Sequence, residues 1–250
     1  MSGYEEIFDQ RGDLYNAASD IWDSARKIER QIIIDLLDPG LGDLICDIPA
    51  GGGYLAKGLV ENGFRPSQVI CVEPSVGFVG GIPNVFPRIQ CPLDSVALMD
   101  GSMDRVGSLA GLHHLEDKKP FFKEASRLLV AGGGLAVADV RTHTPVAEFL
   151  NDSVDKYTET GHKGLFFRDQ EFHDLMSEAG FRDVVEEYHA FSWTFPDLET
   201  LVLYCKSLFG MVKADVEQVA AELEKYFAVS EGPEGATLPW GLLYARGIKR

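Results

Sequence analysis

GDLICDIPAGGGYLAKG, residues 42–58, carries the strongest structural signal in this chain. A short apolar run ends in Asp47, and such a run before a glycine cluster is typical of a buried strand. Pro49 has no backbone N–H to donate and ends the strand. Three glycines at 51–53 allow positive φ, and a helical pattern follows them. The order of strand, glycine loop and helix predicts a site for a polar or anionic ligand group at the helix N-terminus.

Two kinds of cofactor fit this stretch. Gly51 begins a G-x-G-x-x-A pattern, and Glu73 lies about 20 residues further on, where a dinucleotide-binding protein has its ribose-binding acid. Asp47, however, stands four residues before Gly51, at the end of the strand. A carboxylate there attracts a positive sulfonium and amino group and repels a pyrophosphate. A cofactor with a positive group therefore fits as well as a dinucleotide, and an NAD-type oxidoreductase is kept as the alternative hypothesis.

The composition limits the partners. The formal net charge of the 250 residues is −16, so nucleic acid and anionic membranes are not expected to bind. The chain has no apolar run of the roughly 18 residues that span a membrane, and its polar start is not a secretion signal. The cysteines are scattered, without CxxC pairs, which predicts buried thiols, a reduced cytoplasmic location and no metal site. These cysteines are Cys46, Cys71, Cys91 and Cys205.

Strand and helix patterns alternate along the chain. Strands are predicted at 43–48, 68–73, 88–91, 104–111, 135–140, 184–193 and 240–248. Helices are predicted at 4–37 (with a break), 53–63, 118–130, 145–160, 169–179, 198–211 and 214–227. Residues 74–87 are too rich in glycine and proline for a full helix, and 231–239 reads as a loop. This alternation predicts a doubly wound, mostly parallel α/β sheet, whose ligands lie beyond the carboxyl ends of its strands. Residues at those ends are Asp47, Glu73, Ala110 and Asp139.

Residues 47–53, DIPAGGG, resemble the first motif of class I S-adenosylmethionine-dependent methyltransferases. Residues 99–106 with 112–115, and 122–129 with the glycines that follow, resemble the family's methyltransferase domain 11 type. The resemblance covers about residues 40–192. It implies a Rossmann-like sheet of seven strands with helical lid insertions, in a single domain over 1–250.

The resemblance also implies roles for residues in cofactor binding. Gly51 and Gly53 line the methionine moiety, with Pro49 where the family usually has glycine, and Glu73 accepts both ribose hydroxyls. The family's adenine-binding acid falls on Pro92, so the neighbouring residues must hold the adenine. The full set for S-adenosylmethionine, or its product S-adenosylhomocysteine, is Tyr15, Asp47, Pro49, Gly51, Gly53, Glu73, Leu93, Asp94 and Ala110.

The implied reaction is O-, N- or C-methylation of a small, apolar or aromatic molecule. Catalytic-base candidates are His114 and His162, with His113 also considered and His162 expected in an exposed turn. Residues 1–37 are expected to cover the cofactor, with Tyr4, Phe8 and Tyr15 in this lid and Tyr15 reaching its carboxylate. Residues 145–167 and 194–230 are expected to cover the acceptor. A further alternative is a protein of this fold that uses the cofactor for chemistry other than methyl transfer, and whether the chain dimerises is left open.

Overall fold

The structure is a computed structural model that describes the backbone of residues 3–250 and their side chains except at 3–8, 10, 11, 19 and 20. The predicted lid side chains Tyr4 and Phe8 therefore lie outside the described residues. None of the helices that are described is long and apolar enough to cross a bilayer.

The centre of the molecule is a mixed sheet with the order β3-β2-β1-β4-β5-β8-β6, to which β7 adds as a short hairpin partner of β8. The first five strands are parallel, and β8 runs antiparallel between β5 and β6. The strands are β1 Ile45–Asp47, β2 Val69–Val72, β3 Arg88–Ile89, β4 Met103–Leu109, β5 Leu129–Asp139, β6 Phe181–Phe195, β7 Ser230–Gly232 and β8 Gly235–Lys249. The predicted doubly wound, mostly parallel sheet is confirmed, with this small eighth strand added.

Helices cover the sheet and its carboxyl edge. The two N-terminal helices are α1 Gly3–Trp22 and α2 Lys27–Leu37, the predicted helix with a break. The others are α3 Tyr54–Glu61, α4 Val76–Val79, α5 Lys119–Leu128, α6 Pro145–Phe149, α7 Asp155–Tyr157, α8 Glu171–Glu178, α9 Leu198–Leu208 and α10 Val216–Tyr226. A π-helical turn, Leu150–Val154, joins α6 to α7, and a 3₁₀ turn, Leu112–His114, follows β4.

The sheet is buried on both faces, as its unbroken apolar strands predict. Ile45 packs into a cluster with α2, α3 and α9, whereas its neighbour Cys46 packs into a second cluster with α5 and α8. Successive side chains of a strand point to opposite faces, so β1 contributes to both clusters. In register, Asp47 pairs with Cys71 and Gly107, which places the strand-end carboxylate at the carboxyl edge of the sheet.

Two local predictions were wrong. β5 begins at Leu129, within the predicted helix at 118–130, and includes the glycines before the predicted strand at 135, because Gly134 pairs with Arg105 on one side and with Ile248 on the other. The predicted loop at 231–239 is the β7–β8 hairpin. In both cases pairing with distant strands overrides the local turn signal. Residues 74–87 form no full helix, as predicted: α4 is four residues long, and Ser75 caps it by accepting a hydrogen bond from the backbone N–H of Phe78.

Candidate active site

The glycine loop after β1 forms a cradle around the buried carboxyl of Asp47. Gly51 and Gly53 have φ of 53° and 79°, which a residue with a Cβ rarely adopts. Asp47 Oδ2 accepts a hydrogen bond of 3.1 Å from the backbone N–H of Ala56. Burial raises the pKa of Asp47 well above its usual value, and the nearby Glu73 carboxylate raises it further. A cationic ligand group beside Asp47 would stabilise its ionised form and lower this raised pKa.

Glu73, at the end of β2, is fully buried and tied to the same loop. Its Oε2 accepts from Gly51 N–H at 2.8 Å and its Oε1 from Ser75 N–H at 2.9 Å. Two carboxylate oxygens match the two hydroxyls of a vicinal diol in number, which is the role that the resemblance implies for Glu73. The predicted ribose acid therefore lies against the predicted glycine loop.

Helix α1 lies over this end of the site. Asp9 Oδ1 accepts a hydrogen bond of 2.8 Å from Ser75 Oγ, next to Glu73. A Cβ on Gly12 would lie 2.6 Å from the carbonyl carbon of Gly77, so α1 and α4 touch through their backbones. Access to Glu73 is thus controlled by the position of α1.

A first cavity opens in front of the cradle. The edge of Tyr15 meets the ring of Phe78, with centroids 5.2 Å apart and planes at 88°. The cavity is lined by Tyr15, Arg26, Asp47, Pro49, Ala50, Gly51, Tyr54, Leu55, Phe78, Leu109, Ala110 and Gly111. Five of the predicted cofactor residues, Tyr15, Asp47, Pro49, Gly51 and Ala110, thus meet in one space, whereas Gly53 and Glu73 are not in its lining.

Arg26 stands at the junction of this cavity with its neighbours. Its guanidinium donates to Glu29 Oε1 at 2.6 Å through Nε and to the Tyr15 hydroxyl at 2.6 Å through Nη1. It also lies 4.8 Å from the centroid of the Tyr54 ring. Burial by itself lowers the pKa of Arg26, but the Glu29 carboxylate and the surrounding phenols outweigh it and raise the pKa well above its usual value. The site therefore holds a permanent, positioned cation.

A second cavity is continuous with the first and has aromatic walls and a histidine end. The rings of Trp193 and Trp240 stack with centroids 4.3 Å apart. This cavity is lined by Tyr15, Arg26, Glu29, Ala110, His113, His114, Val140, Leu150, His162, Trp193, Leu208, Phe209, Trp240 and Leu242. Tyr15, Arg26 and Ala110 line both cavities, so these three residues form the boundary between them.

The histidines come from two separate segments. His113 Nδ1 lies 2.6 Å from Asp139 Oδ1, at the end of β5. His162 Nδ1 lies 3.2 Å from Asn151 Oδ1, on the π-helical turn. Since a carboxylate or amide oxygen only accepts, Nδ1 of each ring is the donor in these two contacts. His162, expected in an exposed turn, is instead buried, because residues 161–167 fold back over the cavity.

The structure brings most of the predicted residues together, but not all. Leu93 packs in the second core cluster and Asp94 is exposed, and neither is among the described residues that line these cavities. Reasoning from the sequence missed Arg26 and the pairing of His113 with Asp139. Arg26 lies in the break between α1 and α2, where no motif marks it. The strand-end position of Asp139 was a usable signal, but its partner depends on the fold.

Comparison with known proteins relates this fold and its glycine loop to methyltransferases. A family model described as a methyltransferase domain matches residues 46–137. A solved structure described as a possible histamine N-methyltransferase, from Thermotoga maritima, is 22% identical, with a TM-score of 0.62 over 99% of this chain and 100% of that one. The [4+2]-cyclase SpnF is 15% identical, with a TM-score of 0.66 over 100% of this chain and 97% of that one.

A third solved structure is a phosphoethanolamine N-methyltransferase of Haemonchus contortus in complex with S-adenosyl-L-methionine. It is 15% identical, with a TM-score of 0.66 over 98% of this chain and 60% of that one. Identities this low show a shared fold. The family match over residues 46–137 and these shared folds agree with the predicted resemblance to class I S-adenosylmethionine-dependent methyltransferases and with its cofactor.

Proposed function

We propose that this enzyme methylates a small organic molecule bound in the second cavity, with the cofactor in the first. The observation that carries this proposal is the shared boundary: Tyr15, Arg26 and Ala110 line both cavities. In-line transfer needs donor and acceptor to meet at one opening, held in the correct orientation. This boundary is where the methyl group would pass.

The cofactor fits the first cavity by charge as well as by shape. S-adenosylmethionine, when bound, supplies an electrophilic methyl group on a positive sulfur. Asp47 then faces cationic groups, Glu73 holds the ribose hydroxyls, and Arg26 with the Tyr15 hydroxyl holds the carboxylate. Leu93 and Asp94 remain the proposed adenine contacts. The loop of Gly51 and Gly53 lets the backbone approach the ligand closely.

The second cavity suits a partly apolar acceptor with one polar end. Its walls offer the flat faces of Trp193 and Trp240, against which a planar molecule can stack. At its other end, His113, His114 and His162 can orient a hydroxyl or amine and take its proton. The Asp139 carboxylate holds the His113 ring so that Nε2 is the accepting atom. This adds His113 to the predicted candidates His114 and His162.

The surrounding segments keep water out of this site. In our proposal the chain is a single domain, with 1–37 covering the cofactor and 145–167 and 194–230 covering the acceptor. The π-helical turn supplies Leu150, and α9 with the residues after it supplies Leu208 and Phe209. We also propose that the protein is cytoplasmic and forms a homodimer. Its partner in catalysis is a small-molecule acceptor.

Calorimetry with S-adenosylhomocysteine tests the cofactor assignment. We expect micromolar binding, weakened roughly 5- to 150-fold by Glu73→Gln, which corresponds to loss of about 1–3 kcal/mol of charged hydrogen bonding. Glu178→Gln, an exposed carboxylate far from the cavities, is the matched control. Equal affinity of both variants would remove Glu73 from the ribose site, and binding of NADH alone would favour an oxidoreductase.

The transfer itself is tested with labelled S-adenosylmethionine and a panel of small aromatic hydroxy and amino compounds. Labelled product from at least one compound supports the proposed reaction. Cofactor binding without any methylated product would favour other chemistry on the same fold, since one protein of this fold is described as a [4+2]-cyclase.

A further inference from the structure

Three histidines lie at one end of the second cavity, which is more than acid–base chemistry requires. One ring nitrogen from each of His113, His114 and His162 lies within 4.8 Å of the other two. All three side chains are buried, with exposed fractions of 5%, 8% and 5%. A single proton acceptor needs one imidazole, whereas three converging imidazoles are a donor set for a transition metal.

Two of the rings are oriented as metal-binding histidines are. The Asp139 carboxylate holds Nδ1 of His113 at 2.6 Å, and the Asn151 amide oxygen lies 3.2 Å from Nδ1 of His162. Such a partner on one ring nitrogen fixes the tautomer and directs the lone pair of the other nitrogen towards an ion. Together with His114, these rings bring one nitrogen from each of three histidines into the cluster.

Backbone hydrogen bonds fix the segments that carry these rings. Leu165 N–H donates to the carbonyl of His113 at 2.7 Å, which ties the 161–167 segment to the turn after β4. Gly164 N–H donates to Asn151 Oδ1 at 2.7 Å, and His162 N–H donates to Asp155 Oδ1 at 2.6 Å. The ligand set is thus held by packing and hydrogen bonds before any ion arrives, which lowers the cost of binding.

We propose that His113, His114 and His162 bind one divalent first-row transition-metal ion of the Zn²⁺ type. Three nitrogens at 2.0–2.1 Å from a tetrahedral ion are about 3.4 Å apart, so nitrogens that now lie within 4.8 Å of one another must approach by at most about 1.4 Å. The fourth position faces the second cavity. An acceptor with a hydroxyl, amine or carboxylate can coordinate there, and the ion lowers the pKa of a coordinated hydroxyl.

Metal binding does not depend on the proposed methyl transfer. Only the role of the ion's fourth coordination position, as the site of the methyl acceptor, rests on the proposed function. The net charge of −16 also favours cations over anions around the protein. With the ion bound, one ring nitrogen of each histidine is a ligand, so the ion replaces the histidine base of the proposed function and the acceptor's proton would pass to water. This distinction can be measured without an acceptor.

The test is a titration of the metal-free protein with Co²⁺, followed by visible absorption. We expect one Co²⁺ per chain with the intense visible bands of a four-coordinate site, and their loss when Zn²⁺ is added. His113→Asn and His162→Asn should each weaken Co²⁺ binding at least tenfold. His143→Asn, at an exposed position outside the cluster, should leave it unchanged.

Circular dichroism and calorimetry with S-adenosylhomocysteine are run on every variant. A folded His162→Asn protein that keeps cofactor affinity and loses Co²⁺ supports the site independently of the proposed reaction. Wild-type protein that gives no four-coordinate spectrum, or folded variants that bind Co²⁺ as the wild type does, would overturn it. Co²⁺ binding in a protein that fails to bind S-adenosylhomocysteine would refute the proposed function and leave the metal site standing.

Discussion

Nδ1 of His113 lies 2.6 Å from Oδ1 of Asp139, although 26 positions separate the two residues along the chain. Asp139 Oδ2 accepts from the backbone N–H groups of Leu112 and His113, and Oδ1 from that of Val140. One carboxylate thus fixes both the turn after β4 and the ring that the turn carries.

Replacing Asp139 by Asn should lower both stability and metal affinity. The amide keeps one accepting oxygen but loses the charge, so we expect the free energy of unfolding to fall by about 1.5–3 kcal/mol. Co²⁺ binding should weaken about 10- to 100-fold. Urea unfolding and the Co²⁺ titration measure these effects. Asp169→Asn, at an exposed position, is the control, and equal values for the two variants would contradict the role of Asp139.

Two variants can separate the contribution of the buried Arg26–Glu29 pair to stability from its contribution to cofactor binding. Arg26→Met leaves the fully buried Glu29 carboxylate without its cation, which should cost about 3–5 kcal/mol in urea unfolding. Adding Glu29→Gln should restore most of that stability. Affinity for S-adenosylhomocysteine should stay at least tenfold reduced in both variants, because the ligand for its carboxylate is gone.

Arg182→Met, which removes an exposed arginine, should leave stability within about 0.5 kcal/mol and cofactor affinity unchanged. Recovery of cofactor affinity in the Arg26→Met, Glu29→Gln double variant would show that Arg26 supports the fold only.

Asp47 should make stability depend on pH. Its pKa is raised in the folded protein, so above the unfolded value of about 3.9 the folded state binds more protons, and stability falls as pH rises. Asp47→Asn removes the ionisable group and with it this pH dependence, but keeps an oxygen that can accept from Ala56 N–H. We therefore expect the variant to melt at a higher temperature than the wild type near neutral pH. Melting curves from pH 4 to 8 should show the two proteins converging towards the acid end.

The same variant should bind the cofactor less well. S-adenosylmethionine should lose more affinity than S-adenosylhomocysteine, because only the former carries a sulfonium charge for Asp47 to balance. A pH-independent difference in melting temperature, or an equal loss for both ligands, would argue against an ionised Asp47 in the complex.

Gly12 should be required for α1 to close over Glu73. A Cβ at this position would lie 2.6 Å from the backbone of Gly77, and a backbone cannot yield as a side chain does. Gly12→Ala should therefore lift α1, increase hydrogen exchange over residues 9–22, and speed release of S-adenosylhomocysteine. Gly42→Ala, where a Cβ has nothing within 4 Å, is the matched control. Unchanged exchange in Gly12→Ala would show that α1 does not depend on this contact.

Local signals were enough to predict the loop and the strand-end carboxylates that form the proposed cofactor half of the site. The apolar run, Asp47 and the glycines at 51–53 lie within a few residues of one another, and backbone preferences act over that range. Glu73 followed from the parallel arrangement, because adjacent parallel strands end at the same edge. Those two carboxylates and the loop therefore occupy the predicted places.

Tertiary structure alone decided the acceptor half. The sequence around Arg26, Asp139 and His162 does not predict which residues they contact. Those contacts depend on the strand order and on the folding of distant segments over the sheet. Long-range pairing likewise turned the predicted loop at 231–239 into the β7–β8 hairpin. Backbone conformational preferences depend on residues close together in the sequence. The approach of three histidines from two distant segments depends on the packing of the whole fold.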